Sequence, residues 1–461
     1  MAQAAASKDA GRIDTLPSSL KASWGAGALG VAVLMNGIGT LALFYMSSVL
    51  GIDAALAGTI IFASKLFDVV TDPLVGAWSD RTRSPRGRRR PFLFSGAVVS
   101  ALSFLMLFAV PDLQSSYAVA CWVLVALMLY TLGYSLFNVP YVAMPAEMTD
   151  SYHERSSIHA WRMVFVALGG FIASALFPVF LEVTGRTERS TYVYTGIIGA
   201  AIIFAAMMVA YLGTGKARFT ERGPARASFR DDLGAMFSNT FFLRLLGVKL
   251  AQLLGVAATQ ATMMFWIIYG LRLPLTFLGG YGAVMTVSTI IAAPLLVRVS
   301  KKVGKREGYM LAGVCYTLYA LSWMFAEPGE PAALLFLRGV IVGVAAAGNV
   351  IFAMSMLTDI IEFDARTTGI RREGAYTAFY SLVEKMTAAA GPLIVGLALS
   401  AVNFDPDHLE VAGDNLRHAL LLGVSYLPAA CGAAALAILS TYRLTESELA
   451  MSAPQHIGDQ R

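Results

Sequence analysis

AALAGTIIFASKLFDVVTDPLVGAWS, residues 54–79, is an apolar run long enough to cross a bilayer, yet it carries Lys65, Asp68 and Asp72. A charge at the bilayer centre costs about 2.5–3.5 kcal/mol on the insertion scale. Three of them facing lipid would cancel much of the free energy of insertion. Spacings of i,i+3 and i,i+4 put all three on one helical face, which must turn toward a protein interior or a water-filled cavity. Thr71 lies beside them and adds a neutral oxygen. Two carboxylates against one ammonium leave one negative charge, which suits a monovalent cation or a proton.

The surrounding chain sets the class. Of its 461 residues 57% are hydrophobic and only 14% charged, where soluble domains carry about 25% charged residues. A spanning helix needs about 20 residues, and the sequence predicts twelve spans, at 24–48, 54–79, 91–110, 117–147, 158–181, 191–213, 243–270, 280–299, 308–326, 332–361, 375–401 and 418–441. The predicted fold is therefore all-α, twelve transmembrane helices in two six-helix halves.

The net charge of +5 is not a nucleic-acid footprint. Of the 35 Lys and Arg, Arg186, Arg189, Arg272 and Arg417 fall in one set of loops, and Lys65, Arg162, Lys249, Arg338 and Lys385 fall inside spans. The rest lie in the opposite loops and the tails. That asymmetry predicts a multi-pass inner (plasma) membrane protein with both termini in the cytoplasm. Residues 1–23 read as a polar cytoplasmic tail, not a signal peptide. The divisions expected are an N-terminal bundle at 24–213, a cytoplasmic linker at 214–242 ending in an amphipathic helix over Phe229–Phe242, a second bundle at 243–441, and a tail at 442–461. Cys121, Cys315 and Cys431 all sit within spans and form neither a disulfide framework nor a metal set.

The halves repeat. Residues 56–96 align with 278–313, Pro73 opposite Pro294 and Ser79 opposite Ser300. Internal repeats of this kind mark secondary transporters. In the same register Lys65, Asp68 and Asp72 stand opposite Thr286, Thr289 and Ala293. A fold that leaves those positions uncharged in one half does not need charge there for packing, so the charges of the first half are read as functional.

Enzyme chemistry finds no support. The chain has no Gly-x4-Gly-Lys-Ser/Thr phosphate loop, no His-Glu-x-x-His and no Cys-x-x-Cys. Its five histidines lie in loops or at span ends, and no nucleophile–base pair is evident. No cofactor and no obligate protein partner are expected, only a small-molecule substrate, membrane lipid and a coupling ion.

The loop Gly76-Ala-Trp-Ser-Asp80-Arg81, with Arg86-Gly-Arg88-Arg-Arg after it, resembles the signature loop between the second and third helices of the major facilitator superfamily. There a carboxylate at a helix end pairs with arginines and holds the halves in one conformation. By that resemblance Gly76, Asp80, Arg81 and Arg88 are latch candidates. A narrower likeness follows. Lys-Leu-Phe-Asp68-Val-Val-Thr-Asp72-Pro73, with Thr358-Asp359-Ile-Ile-Glu362-Phe363 and Thr368-Gly369-Ile-Arg371-Arg-Glu373-Gly374, resembles the glycoside–pentoside–hexuronide cation symporters, the melibiose permease family. It covers essentially the whole chain and adds Asp359 and Arg371 to the latch.

The resemblance implies cation-coupled symport of a sugar or glycoside by alternating access. It places Na+ or H+ at Asp68, Asp72, Thr71 and Ser135, all oxygen donors as a hard cation requires. Arg162 matches the family's sugar-contacting arginine, and Lys385 and Ser381 match cavity or gate residues of helix eleven. Asn138, Asn36, Lys65 and Tyr134 complete the expected substrate contacts. There are departures. The first span has no acid, its strongest polar group being Asn36. The helix-four acid of the family is Asn138 here, and two stacking tryptophans become Val142 and Val350. Much of the carbohydrate clamp is thus missing while the cation positions remain. Other cargo stays open: a lysophospholipid, as in an animal branch of the family, another amphiphile, or an organic acid. So do proton-coupled export and a non-transporting sensor. Lys249 is expected to snorkel toward the cytoplasmic face, and Glu147, Asp359 and Glu362 to pair with Arg155, Arg366 or Arg371.

Overall fold

A computed structural model describes residues 16–82, 84, 87–149, 151–215, 234, 236–370 and 372–444, and among these the regular structure is all helical. The helices of the first half are α1 (Ser18–Phe44), α2 (Ala54–Arg81), α3 (Arg90–Phe108), α4 (Ser116–Met148), α5 (Tyr152–Phe171, carried on to Phe177–Thr184) and α6 (Arg189–Gly213). Those of the second are α7 (Thr240–Phe265), α8 (Leu275–Val303), α9 (Lys305–Ser322), α10 (Ala332–Thr368), α11 (Glu373–Ala401) and α12 (Leu409–Leu421, carried on to Leu427–Ser440). Eleven are long and apolar enough to cross a membrane. The exception is α9, 18 residues opening on Lys305, Arg306 and Glu307, which packs against α10 and α12.

Two boundaries differ from the sequence expectation. Helix α1 starts at Ser18, inside the expected tail, because Lys21 is buried there with its ammonium 2.9 Å from Glu154 and 3.1 Å from Ser157. An intramolecular ion pair thus carries a polar turn that hydropathy alone would leave outside. Of the amphipathic helix expected over Phe229–Phe242, residues 229–233 and 235 lie outside the described residues, and 234 and 236–238 are helical. Helix α7 begins at Thr240, where the Asn239 side chain accepts from the Phe242 amide at 3.1 Å and caps the turn.

The repeat is built into the backbone. Helix α1 ends in a π turn, Tyr45–Val49, and α7 ends in another, Trp266–Gly270. The amides of Leu50 and Leu271 close the two turns, and Gly51 and Arg272 follow with φ of +67° and +56°. Glycine enters that left-handed region freely, whereas Arg272 does so at a cost of about 1–3 kcal/mol. Helices α2 and α8 then start in the same register.

The halves meet along α2–α11, α1–α7 and α5–α8. Small residues let the backbones touch at the end away from the termini. A Cβ on Gly396 would lie 2.2 Å from the Ala54 carbonyl oxygen, one on Gly58 2.7 Å from that of Pro392, and one on Gly282 2.6 Å from that of Ser174. Asp53 caps α2 through the amides of Ala55 and Leu56 and accepts from the Ser400 hydroxyl across the seam at 2.9 Å. Toward the termini the halves part: the first turns of α2 are buried at Ala54, Ala57, Ile60 and Ile61, but Val70, Leu74 and Trp78 are exposed. The close backbone contacts between the halves thus close the end away from Ser18 and Ser440.

Candidate cation and substrate site

Asp68 and Asp72 point inward, as their spacing on α2 requires. Asp68 is 1% exposed. The Ser135 hydroxyl of α4 lies between the two acids, 3.0 Å from Asp68 Oδ1 and 2.6 Å from Asp72 Oδ1, and it is 3.2 Å from the Thr71 hydroxyl. The four expected oxygen residues therefore converge. Pro73 follows at once, and its missing N–H removes a helical bond beside the cluster.

A fifth group reaches in from the other half. Lys385 of α11 places its ammonium 3.1 Å from Asp68 Oδ2 and hydrogen-bonds Asp72 Oδ2, with the Tyr134 ring centroid 5.1 Å away. This corrects the single negative charge expected from α2 alone: Lys385 already offsets it. Asp72 keeps 28% of its side chain exposed, so the cluster stays in communication with the open end. Lys65 does not join the carboxylates by a hydrogen bond. It donates to the Tyr130 hydroxyl at 2.8 Å and lies over that ring at 4.5 Å. An aromatic face and a phenol oxygen thus hold a cation where an acid had been expected to.

The expected substrate residues surround this cluster unevenly. Asn138 donates to the Tyr134 hydroxyl at 3.0 Å, while its buried Oδ1 has no hydrogen-bond partner among the described residues. The buried Nε of Arg162 likewise has none. One acceptor and one donor left unmet are unusual in a protein interior. Ser381 is exposed one turn before Lys385 on α11. Asn36 stands apart on α1, its amide donating to the Ala32 carbonyl at 2.9 Å, and lines a separate cavity of about 490 Å3 between the halves. The cavity's other polar lining includes Thr40, Ser174, Gln260, Thr286, Thr289 and Asn349. The register that carries Lys65 and Asp68 in the first half thus lines uncharged space in the second.

The latch candidates distribute within each half. Arg88 and Arg89 both meet Glu147 at 2.6 Å, joining the loop after α2 to the end of α4. Lys305 meets Asp359 at 2.7 Å, joining the start of α9 to α10. Glu147 thus pairs with Arg88 and Arg89, and Asp359 with Lys305, while the side chain of Arg155, like Arg371, lies outside the described residues. Glu362 does meet Arg366, one turn on, at 2.7 Å. Gly76 packs loosely against Val139, and Arg81 is exposed. The side chain of Asp80, and Arg371, lie outside the described residues.

Two buried cations find partners that the sequence did not indicate. Lys249 does not snorkel: it is 5% exposed, 3.5 Å from Glu384 and 5.5 Å from the Tyr380 ring centroid. The expectation assumed a lipid-facing helix, whereas this face of α7 packs on α11. Arg338 pairs with Glu330, donates to Ser322, and stacks 4.6 Å over Trp323. Glu330 sits in the short loop before α10 and folds back beside the helix.

The chain matches the family model described as MFS/sugar transport protein over residues 23–446. Among curated relatives, the uncharacterized symporter sll1374 of Synechocystis sp. is 24% identical, the match covering 90% of this chain and 92% of the relative. The isoprimeverose transporter of Lactiplantibacillus pentosus is 22% identical over 81% of this chain and 78% of its own. Among solved structures, a bacterial homolog of the human lysosomal transporter Spinster, inward-facing and unoccupied, superposes with a TM-score of 0.64 over 93% of this chain and 98% of that one, at 15% identity. This last likeness speaks to the fold.

Proposed function

The chain belongs to the MFS/sugar transport protein family, and on that premise we propose that it is a secondary carrier moving a sugar or glycoside together with a cation by alternating access. It is a membrane transporter, not an enzyme. The observation that carries the coupling is the junction of Asp68, Asp72, Ser135 and Lys385, where an acidic pair of one half is held by an ammonium of the other. A cation entering between the two carboxylates competes with Lys385. Winning that competition cuts the tie between α2 and α11 and lets the halves rock.

Four oxygens converging on one point favour Na+ as the coupling ion over H+. Arg162 and Asn138, side by side with Tyr134 near the cluster, are the residues we assign to hydroxyls of the cargo, the guanidinium as a fork. Tyr134, beside both Lys385 and Asn138, links the cation cluster to that site. Arg88 with Glu147, and Lys305 with Asp359, brace each half at its termini end. The basic loops and tails support a plasma-membrane carrier with that end in the cytoplasm, which makes the conformation inward-open.

The test is uptake into proteoliposomes under an imposed Na+ or H+ gradient across a panel of sugars and glycosides. Asp68→Asn and Asp72→Asn are expected to abolish gradient-driven accumulation while leaving the protein folded. Full accumulation in both variants would falsify the coupling assignment.

A further inference from the structure

Resting on that carrier reading, we infer that Tyr130 is a positioning residue that parks Lys65 away from the acidic pair. Lys385 is then the one ammonium that competes with the coupling ion, and Lys65 becomes a fixed charge that selects a monovalent ion over a divalent one. Lys65 stands three residues before Asp68 on α2, a spacing that puts both side chains on one face and within reach of each other. Yet its ammonium donates to the Tyr130 hydroxyl of α4 at 2.8 Å and lies 4.5 Å from that ring's centroid. A phenol oxygen and a ring face together replace the carboxylate.

The wall of α4 is built for this. Tyr130 is 1% exposed, so its hydroxyl needs an internal partner, and Lys65 is that partner. One turn on, the Tyr134 ring centroid lies 6.0 Å from Lys65 and 5.1 Å from Lys385, but its hydroxyl already accepts from Asn138 at 3.0 Å. Beside Tyr130, the Thr131 hydroxyl donates to the Ser64 carbonyl at 3.2 Å. Two successive residues of α4 thus grip two successive residues of α2. Both helices belong to the first half, so the grip persists while the halves rock.

The consequence appears when an ion enters. Both oxygens of Asp68 have partners, Oδ1 accepting from Ser135 and Oδ2 lying 3.1 Å from Lys385. An ion that displaces Lys385 frees Oδ2, and Lys65, one turn away on the same helix, is the ammonium placed to take it. The bond to Tyr130 holds it back. The cradle then contains Asp68, Asp72 and the parked Lys65, one negative charge among the three. A monovalent ion neutralises it, whereas a divalent ion leaves a positive charge unmatched in a buried site. Arg162, whose charge also reaches Tyr134, weighs the same way.

Titration calorimetry of the purified full-length protein in detergent, in a choline buffer free of Na+, tests this with NaCl and CaCl2 as the probes. Tyr130→Phe keeps the ring and removes only the oxygen. It should weaken Na+ binding about tenfold, because Lys65 turns to Asp68 and competes there. In a Lys65→Met background the same change should leave Na+ affinity where it was, and Lys65→Met alone should bind Ca2+ about tenfold tighter than the wild type. A Na+ affinity unmoved by Tyr130→Phe, a loss that persists in the Lys65→Met background, or equal Ca2+ affinity in the wild type and Lys65→Met each overturns the inference. Tyr130→Phe decides alone if Lys65→Met does not fold. No Na+ binding by the wild type, or binding that Asp68→Asn leaves intact, would instead overturn the cation site itself, and the role of Tyr130 with it.

Discussion

Lys385 decides how the proposed cation site behaves. Its ammonium lies between Asp68 and Asp72, and a charge-assisted bond of this kind contributes about 1.5–3 kcal/mol. Lys385→Met removes that competitor, so sodium affinity measured by calorimetry should rise about tenfold, while accumulation falls because the two acids then face each other uncompensated. An unchanged sodium affinity would remove Lys385 from the site. The second buried pair is asymmetric, Lys249 being buried and Glu384 43% exposed. Glu384→Gln strands an ammonium inside the protein and should destabilise it by roughly 1–3 kcal/mol, whereas Lys249→Met frees an acid that water can reach and should cost under about 1 kcal/mol. Thermal unfolding of the two variants in detergent separates these cases. The acidic pair could be read from the sequence because its members sit one turn apart on one helix, where spacing alone sets direction. Lys385, Glu384 and Glu330 act across helices that are distant in sequence, and only packing decides which face meets which. The cavity was legible only in part: Asn36, Thr286, Thr289 and Val350 stood out in the sequence and line it, whereas Thr259 and Asn349 within spans cost too little to stand out.

At the level of elements, the seam at the closed end depends on the absence of side chains. Gly396→Val would drive a branched Cβ into the Ala54 carbonyl, and overpacking of this sort costs about 1–3 kcal/mol in the closed arrangement. The carrier should shift toward the conformation open at that end, seen as increased labelling there by an impermeant thiol reagent at an introduced cysteine. Asp53 serves both as the cap of α2 and as the acceptor for Ser400. Asp53→Ala should lose about 1 kcal/mol of helix stability as well as the tie, and Ser400→Ala only the tie. At the other end Glu154 accepts from Lys21 and from the Leu16 amide, and the Lys21 hydrogen bond holds its carboxyl below the usual glutamate range. A depressed value means stability that is full above the ordinary glutamate range, near 4.3, and lost as pH falls through the lower folded value. Acidification should therefore loosen α1 from α5, and Glu154→Gln should flatten that part of the stability–pH curve. The helices themselves followed from hydropathy. The early start of α1 did not, because a buried Lys21 reads as polar until its partner on α5 is in place.

For the whole molecule, coupling must run in both directions. If the cation tightens cargo binding by some factor, cargo tightens cation binding by the same factor, and the two titrations performed in either order should agree. A mismatch would mean that the two sites do not share one conformational equilibrium. The repeat varies one register: the positions that hold Lys65 and Asp68 on α2 hold Thr286 and Thr289 on α8, so α2 carries charge where α8 lines the uncharged cavity. The neutrality of the cluster has an electrical consequence. Lys65 and Lys385 balance Asp68 and Asp72, so these four residues carry no net charge when unloaded, with the Arg162 guanidinium left beside them, whereas Na+ or a proton would add one positive charge to the loaded crossing. A membrane potential would then act differently on the loaded and unloaded crossings, by up to about 2.3 kcal/mol per 100 mV for the one charge that separates them.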